Sequence, residues 1–346
     1  MTAPVATKLP PPGASAFPHL SPRPAYGPAW PYVLRAFCRI LRFPLLCTAF
    51  HVWTEPGYAH AYSLFTSRMR DAAPDTLGWM HRDDLFFTVG LSSFISVIWV
   101  VENTFFYACD HFKLLQQYKM HRTRAMEPAE ELVRTTLSKA LLSHTIIGPA
   151  LMLFVVGPLL RGLARSRGLP SPVSPSMLPP WTTTWYNFTV SFLVNEVMFY
   201  WGHRLLHWRP LYRTIHKQHH SYVGTRSFAA EYAHDVEDVL TAYIPFLTGI
   251  LLTGAHWHFI FCWFFCKLTE VYESHSGYCF AGSWPHWVGL TNATTAAHHD
   301  FHHTRNQGNF GWEVLDYAFG TMDEWVRIGG RNGYLALAHE KRAKGA

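Results

Sequence analysis

The sequence predicts an all-α membrane protein with about three transmembrane helices, a re-entrant helical hairpin and a cytosolic helical cap carrying histidine boxes. Three observations carry that expectation. Of 346 residues, 49% are hydrophobic and only 15% are charged, which excludes a disordered or collagen-like chain. Apolar runs long enough for a bilayer recur between charged loops. Fourteen of the 22 histidines fall between His203 and His303, and together with a polar N-terminus they hold the mean hydropathy at 0.00.

Residues 1–32 hold nine prolines and no apolar period, the composition of a disordered tail. No apolar core follows a basic start, so a cleavable secretory signal is not expected. Residues 33–84 read as an interfacial helical region, because Arg35, Arg39, Arg42 and Pro44 break the apolar stretch 33–53. Leu85 to Ala108 is a run of 24 residues with one charge, Glu102, enough to cross about 30 Å of hydrocarbon. Residues 140–160, interrupted by Pro149 and Pro158, and 183–202, carrying Asn195 and Glu196, are further candidate spans. Residues 239–268 contain Pro245, Gly249 and Gly254 and split into halves of about 14 residues, too short to span, hence the hairpin. Residues 85–325 then form one membrane-embedded unit and 326–346 a C-terminal tail, whose Lys344 and Arg342 resemble a degenerate dilysine retrieval signal.

The loop 109–139 carries six Lys or Arg and 161–182 three, which places 109–139 in the cytosol, and by counting crossings the histidine-rich segments too. The net charge of +6 is scattered and forms no basic run. It suits an anionic membrane surface rather than nucleic acid. Six cysteines without a CxxC spacing read as reduced thiols. No GxGxxG, Walker or GxSxG motif appears, so electrons for any redox chemistry come from outside the chain.

Three histidine groups share helix faces: His203 with His207, His216 with His219 and His220, and the run His298-His299-Asp300-Phe301-His302-His303, in which HxxHH starts at His299. Eight or more imidazoles exceed a four-coordinate structural zinc site and suit two metals with open positions; ligand type leaves zinc, copper and iron open. Glu196 lies seven residues before His203, on the same face, and is a candidate catalytic group, expected either to accept the N–H of a ligating imidazole or to serve interhelical packing. His275 follows the hairpin, where it can return to the metals. His234 reads equally as a further ligand or as an ordinary hydrogen-bonded histidine.

With these motifs the chain resembles the fatty acid hydroxylase superfamily of membrane non-haem di-iron enzymes, and within it the C-4 methylsterol monooxygenases, over residues 100–325. The resemblance includes Tyr118-Lys119, Glu196, Glu231-Tyr-Ala-His234 with Glu237, His275-Ser-Gly-Tyr278, Gly308-Asn309-Phe310 and Phe319-Gly320-Thr321. It implies iron ligation by His203, His207, His216, His219, His220, His275, His299, His302 and His303, with His298 as a further candidate. It implies O2-dependent oxidation of a sterol 4α-methyl group by two ferrous ions. Electrons would come from NAD(P)H through a reductase and a b-type cytochrome, at the endoplasmic reticulum membrane. The alternatives are sister activities of that superfamily (sterol C-5 desaturation, sterol side-chain or fatty acid hydroxylation), and outside it a zinc carrier or a membrane haem protein.

Overall fold

The computed structural model describes residues 26–72, 76–77, 80–120, 126–168, 173–291 and 293–336. Most of the N-terminal tail and the Lys341–Lys344 signal lie outside them. Apart from turns and loops, the described residues form helices, two-residue strands at Thr76–Leu77 and Met80–His81, and one isolated bridge between Lys119 and Tyr278. The helices are α1 (Trp30–Ala72), α2 (Arg82–His111), α3 (Glu130–Ser166), α4 (Trp181–Leu206), α5 (Asp235–Thr253), α6 (Trp257–His275), α7 (Ala293–Arg305), α8 (Glu313–Phe319) and α9 (Asp323–Arg327).

Three of them, α2, α3 and α5, are long and apolar enough to cross a membrane. Only 22–33% of their apolar windows is buried within the protein, so the rest, Val97, Val101, Phe105, Ile146 and Phe154 among it, faces outward. An outward apolar surface of this extent has lipid as its solvent.

The sequence placed helix breaks at the prolines, and the chain instead absorbs them. Pro149, Pro158 and Pro245 each follow a widened π-helical turn, at Ser143–Ile147, Met152–Val156 and Asp238–Tyr243. A proline ring clashes with the carbonyl one turn back and removes a hydrogen bond; the wider turn accommodates both losses without ending the helix. Gly148 is part of the device, since a Cβ there would lie 2.9 Å from the Ser143 carbonyl oxygen. Residues 239–268 do form a helical hairpin, but its first half is longer than expected: α5 has 19 residues and is apolar enough to cross, while α6, also of 19 residues, is not among the candidate spans. They are joined by a turn at Gly254, and α5 crosses α4 so closely that a Cβ on Gly249 would lie 2.4 Å from Ser191 Cα.

α1 is one helix of 43 residues, about 65 Å long at 1.5 Å per residue. Its Ala36, Cys47 and Tyr58 are buried in the same apolar core as Phe188 and Phe192 of α4 and Trp257, Phe259 and Trp263 of α6. The six cysteines are free thiols.

Beyond the ends of α4 and α6 lies the cap, made of residues 207–234 and α7 to α9. Phe301 and Ala297 turn one face of α7 into a small core with Met120, Met322 and Trp325. Asp300, fully buried, receives Thr225 Oγ1 at 2.7 Å and Tyr334 Oη at 2.6 Å. That leaves a third face of α7, with His299, His302 and His303, to look inward. The segment after His275 is pinned by backbone bonds, Met120 N to Gly277 O at 2.9 Å and Cys279 N to Tyr118 O at 2.8 Å. Asp110 gathers Tyr278 Oη, Lys119 and Arg226 beneath it.

Candidate metal centre

Nine imidazoles converge where α4, α6, α7 and residues 212–220 meet. In one group, ring nitrogens of His203, His207, His216, His220 and His302 lie within 4.8 Å of one another; in the second, those of His219, His275, His299 and His303 do. All nine are buried. His216 Nε2 sits 3.1 Å from His203 Nε2, 3.0 Å from His207 Nε2 and 3.0 Å from His220 Nε2. His302 Nε2 is 3.1 Å from both His207 Nε2 and His220 Nε2. In the second group His275 Nε2 is 2.9 Å from His299 Nε2 and 3.3 Å from His219 Nε2, and His303 Nε2 is 3.2 Å from His299 Nε2. A π-helical turn at Tyr212–His216 directs His216 inward.

The other ring nitrogens fix the tautomers. Nδ1–H of His203 donates to Phe310 O at 2.6 Å, of His302 to Gly308 O at 2.6 Å, of His303 to Tyr222 O at 3.1 Å and of His275 to Val271 O at 2.9 Å. A carbonyl oxygen only accepts, so in these four the hydrogen is on Nδ1 and a lone pair on Nε2 points inward. His216 Nδ1–H donates likewise to Glu237 Oε1 at 2.8 Å. The His203 and His216 lone pairs thus face each other at 3.1 Å, an arrangement that is repulsive without a cation and that a metal ion turns into ligation. Burial, followed by neighbouring imidazoles, holds His216, His220, His299, His302 and His303 well below the usual histidine range. They are neutral, the form that binds metal. Neither group includes a thiolate or carboxylate among the described residues. An all-imidazole donor set suits iron, copper or zinc.

A cavity of about 270 Å³ opens onto both groups, reaching His203 and His216 of the first and His219, His275 and His299 of the second. Ile95, Met152, Phe246, Phe264 and Leu268 also line it, as do the charged Arg39, Glu196, Lys267 and Glu270. The site therefore brings apolar side chains and buried charged groups into one cavity with the imidazoles.

Residues 188–321 match the family model described as Fatty acid hydroxylase. A methylsterol monooxygenase of Aspergillus fumigatus is 30% identical over 253 residues, 68% of this chain and 79% of that protein. The chain belongs to the fatty acid hydroxylase family. Another relative, a methylsterol monooxygenase of Arabidopsis thaliana, is 30% identical over 219 residues, 62% of this chain and 77% of its own length. A very-long-chain aldehyde decarbonylase of Oryza sativa is 34% identical over 172 residues, 48% of this chain and 61% of the relative. No solved structure gives a significant match.

Within this member of the fatty acid hydroxylase family, two expected site residues stand elsewhere. His298 is in neither group; its Nε2 is 3.9 Å from Asp316 Oδ2 and its ring meets the edge of Trp325. Glu196 accepts no imidazole N–H. Its carboxylate takes Lys267 Nζ at 3.0 Å and Arg39 at 3.3 Å. Its position on the His203 face was right, but α1 and α6 supply cations that spacing within α4 does not reveal. The carboxylate that does hold an imidazole is Glu237. His234 is an ordinary helix cap, its Nδ1 accepting Val236 N at 3.2 Å.

Asp316 was also missed. Fully buried, it accepts Phe310 N at 2.9 Å, Gly311 N at 3.1 Å and Thr321 Oγ1 at 2.6 Å. Burial nevertheless pushes its carboxyl up to about 7. It clamps the loop whose Gly308 and Phe310 carbonyls orient His302 and His203. Asp316→Ala leaves two backbone donors, Phe310 N and Gly311 N, without an acceptor, each at about 1–3 kcal/mol. The melting temperature in detergent micelles is expected to fall by roughly 5–10 °C, with partial metal loss. Unchanged melting would show that the loop holds without it.

Proposed function

We propose that the protein oxidises the C-4 methyl group of 4-methyl and 4,4-dimethyl sterols, using O2 and two ferrous ions held by the nine imidazoles. The observation that carries this reading is the cavity, whose lining surface is mostly apolar and reaches both imidazole groups. The relatives named methylsterol monooxygenase support the sterol as substrate. His203, His207, His216, His220 and His302 would hold one ion and His219, His275, His299 and His303 the other. When bound, two ferrous ions supply the reduction of O2 and the oxidation of an unactivated C–H bond. Each turnover uses O2, two electrons and two protons; one oxygen atom enters the C–H bond and the other leaves as water. Repeated turns give the aldehyde and the carboxylate. Phe246, Phe264 and Leu268 bury the sterol rings and exclude water, so orientation is set by shape and by the polar groups of the wall.

Electrons reach the centre from NAD(P)H through a reductase and a b-type cytochrome, in the endoplasmic reticulum membrane with the cap in the cytosol. Arg209, Arg213 and Lys217 support such docking. They recur every fourth residue, are exposed, and form no ion pair among the described residues. Tyr212, His216 and His220 occupy the adjoining row of the same segment, so a basic surface lies directly over the first imidazole group. Changing Arg209 and Arg213 to glutamate is expected to lower donor-supported turnover about tenfold and weaken its salt dependence. Single turnover after chemical reduction should be unaffected, and equal loss in both assays would remove the docking role.

The decisive experiment supplies membranes with NADH, O2 and a 4,4-dimethyl sterol and follows products at the 4α-methyl carbon. The purified protein is expected to contain about two irons. Iron chelation should stop the reaction and carbon monoxide should not. Sterols left untouched while a long-chain aldehyde or fatty acyl chain is consumed would overturn the sterol reading in favour of a sister activity.

A further inference from the structure

Glu237 stands in the first turn of α5 and is 4% exposed. One of its oxygens, Oε1, takes His216 Nδ1–H at 2.8 Å. The other, Oε2, is buried and no donor of the protein reaches it, although the residue lines the cavity with His203, His216 and His275. The nearest cation on the neighbouring helix, Lys139, is engaged elsewhere, by Ala233 O, Asp235 and Asp238. A buried carboxylate oxygen without a donor costs free energy unless a ligand supplies one.

We propose that Glu237 Oε2 accepts the hydroxyl group of the substrate, and that this bond selects which carbon faces the imidazoles. The inference rests on the sterol reading above and adds the residue that fixes regiochemistry. In a C-4 methyl sterol the hydroxyl and the reacting methyl are borne by adjacent ring atoms. The acceptor must therefore lie beside the metal-binding end. Glu237 does, because it touches an imidazole of the first group. The cavity wall offers two other side-chain oxygens without a partner, the Ser92 hydroxyl on α2 and Asn195 Oδ1. Asn195 sits eight residues before His203 on α4, about 12 Å along the helix axis, too far to hold a hydroxyl while the neighbouring methyl is oxidised. The carboxylate thus has two tasks: one oxygen holds His216 in its tautomer and the other reads the substrate.

The test compares equilibrium binding of a 4,4-dimethyl 3-hydroxy sterol and its 3-keto analogue to the full-length protein in detergent. Glu237→Gln keeps a carbonyl oxygen for His216 Nδ1–H and replaces the free acceptor with an NH2 donor. The wild type is expected to prefer the alcohol. The glutamine variant should lower the alcohol-to-ketone ratio by about tenfold or more, because the ketone now accepts a bond and the alcohol has lost its acceptor. The ratio is measured within one protein, with metal content recorded and with chelated wild type as a reference, so loss of metal by the variant does not obscure it. An unchanged ratio overturns the proposal, as does a ratio that moves with Asn195→Leu or Ser92→Ala and not with Glu237→Gln. Failure of the wild type to bind either compound instead overturns the sterol reading itself.

Discussion

Alanine at His302 is expected to remove metal and turnover together. His302 Nε2 faces two other imidazoles of its group at 3.1 Å, and its Nδ1–H is tied to Gly308 O, so the ring is held in the inward-facing tautomer. Truncation deletes a donor rather than an orienting partner, so the loss should exceed the about 10–100-fold that removal of an outer hydrogen-bond partner costs. His298→Ala, four positions earlier on the same helix, provides the contrast: its ring lies against Trp325 and outside both groups. It should lower stability and leave the metal in place. Metal analysis and turnover, measured on membranes with equal protein levels, separate the two. Near-wild-type turnover by the His302 variant would show that the five imidazoles do not act as a ligand set.

The histidine pattern was legible because helical spacing is local. Residues three and four apart share a face whatever surrounds them, so His299, His302 and His303 on α7 could be grouped from the sequence, and the nine imidazoles named there are those that converge. The helical, membrane-embedded class was legible for the same reason, since length and hydropathy of a segment need no partner. What failed depended on contacts across the chain. Proline spacing suggested short hairpin halves, whereas a widened turn before each proline carries the helix through. The partition of nine imidazoles into five and four follows from the meeting of four segments and has no signature in any one of them. Glu237 and Asp316 act through the nitrogen or the loop they hold, and nothing in their immediate sequence marks that role.

Glu196 shows the same limit and leads to the second large effect. It forms a buried quartet with Lys267, Glu270 and Arg39: Lys267 Nζ lies 3.0 Å from Glu196 Oε1 and 2.7 Å from Glu270 Oε2, while Arg39 bridges both carboxylates. Two cations and two anions cancel, with side-chain exposures between 4% and 14%. Lys267→Met breaks that balance and leaves two carboxylates against one guanidinium away from water. Breaking a buried pair in this way costs about 3–5 kcal/mol, because a charge is stranded. The single variant should therefore melt well below the wild type in micelles. Adding Glu270→Gln restores neutrality, with Arg39 and Glu196 still paired, and is expected to recover at least half of the loss. Metal content should stay near wild type in both, since the quartet makes no hydrogen bond to any of the nine imidazoles; had Glu196 oriented a ligand, metal would fall with it. A neutral single variant, or a double variant no more stable than the single, would show that charge balance is not what the quartet contributes.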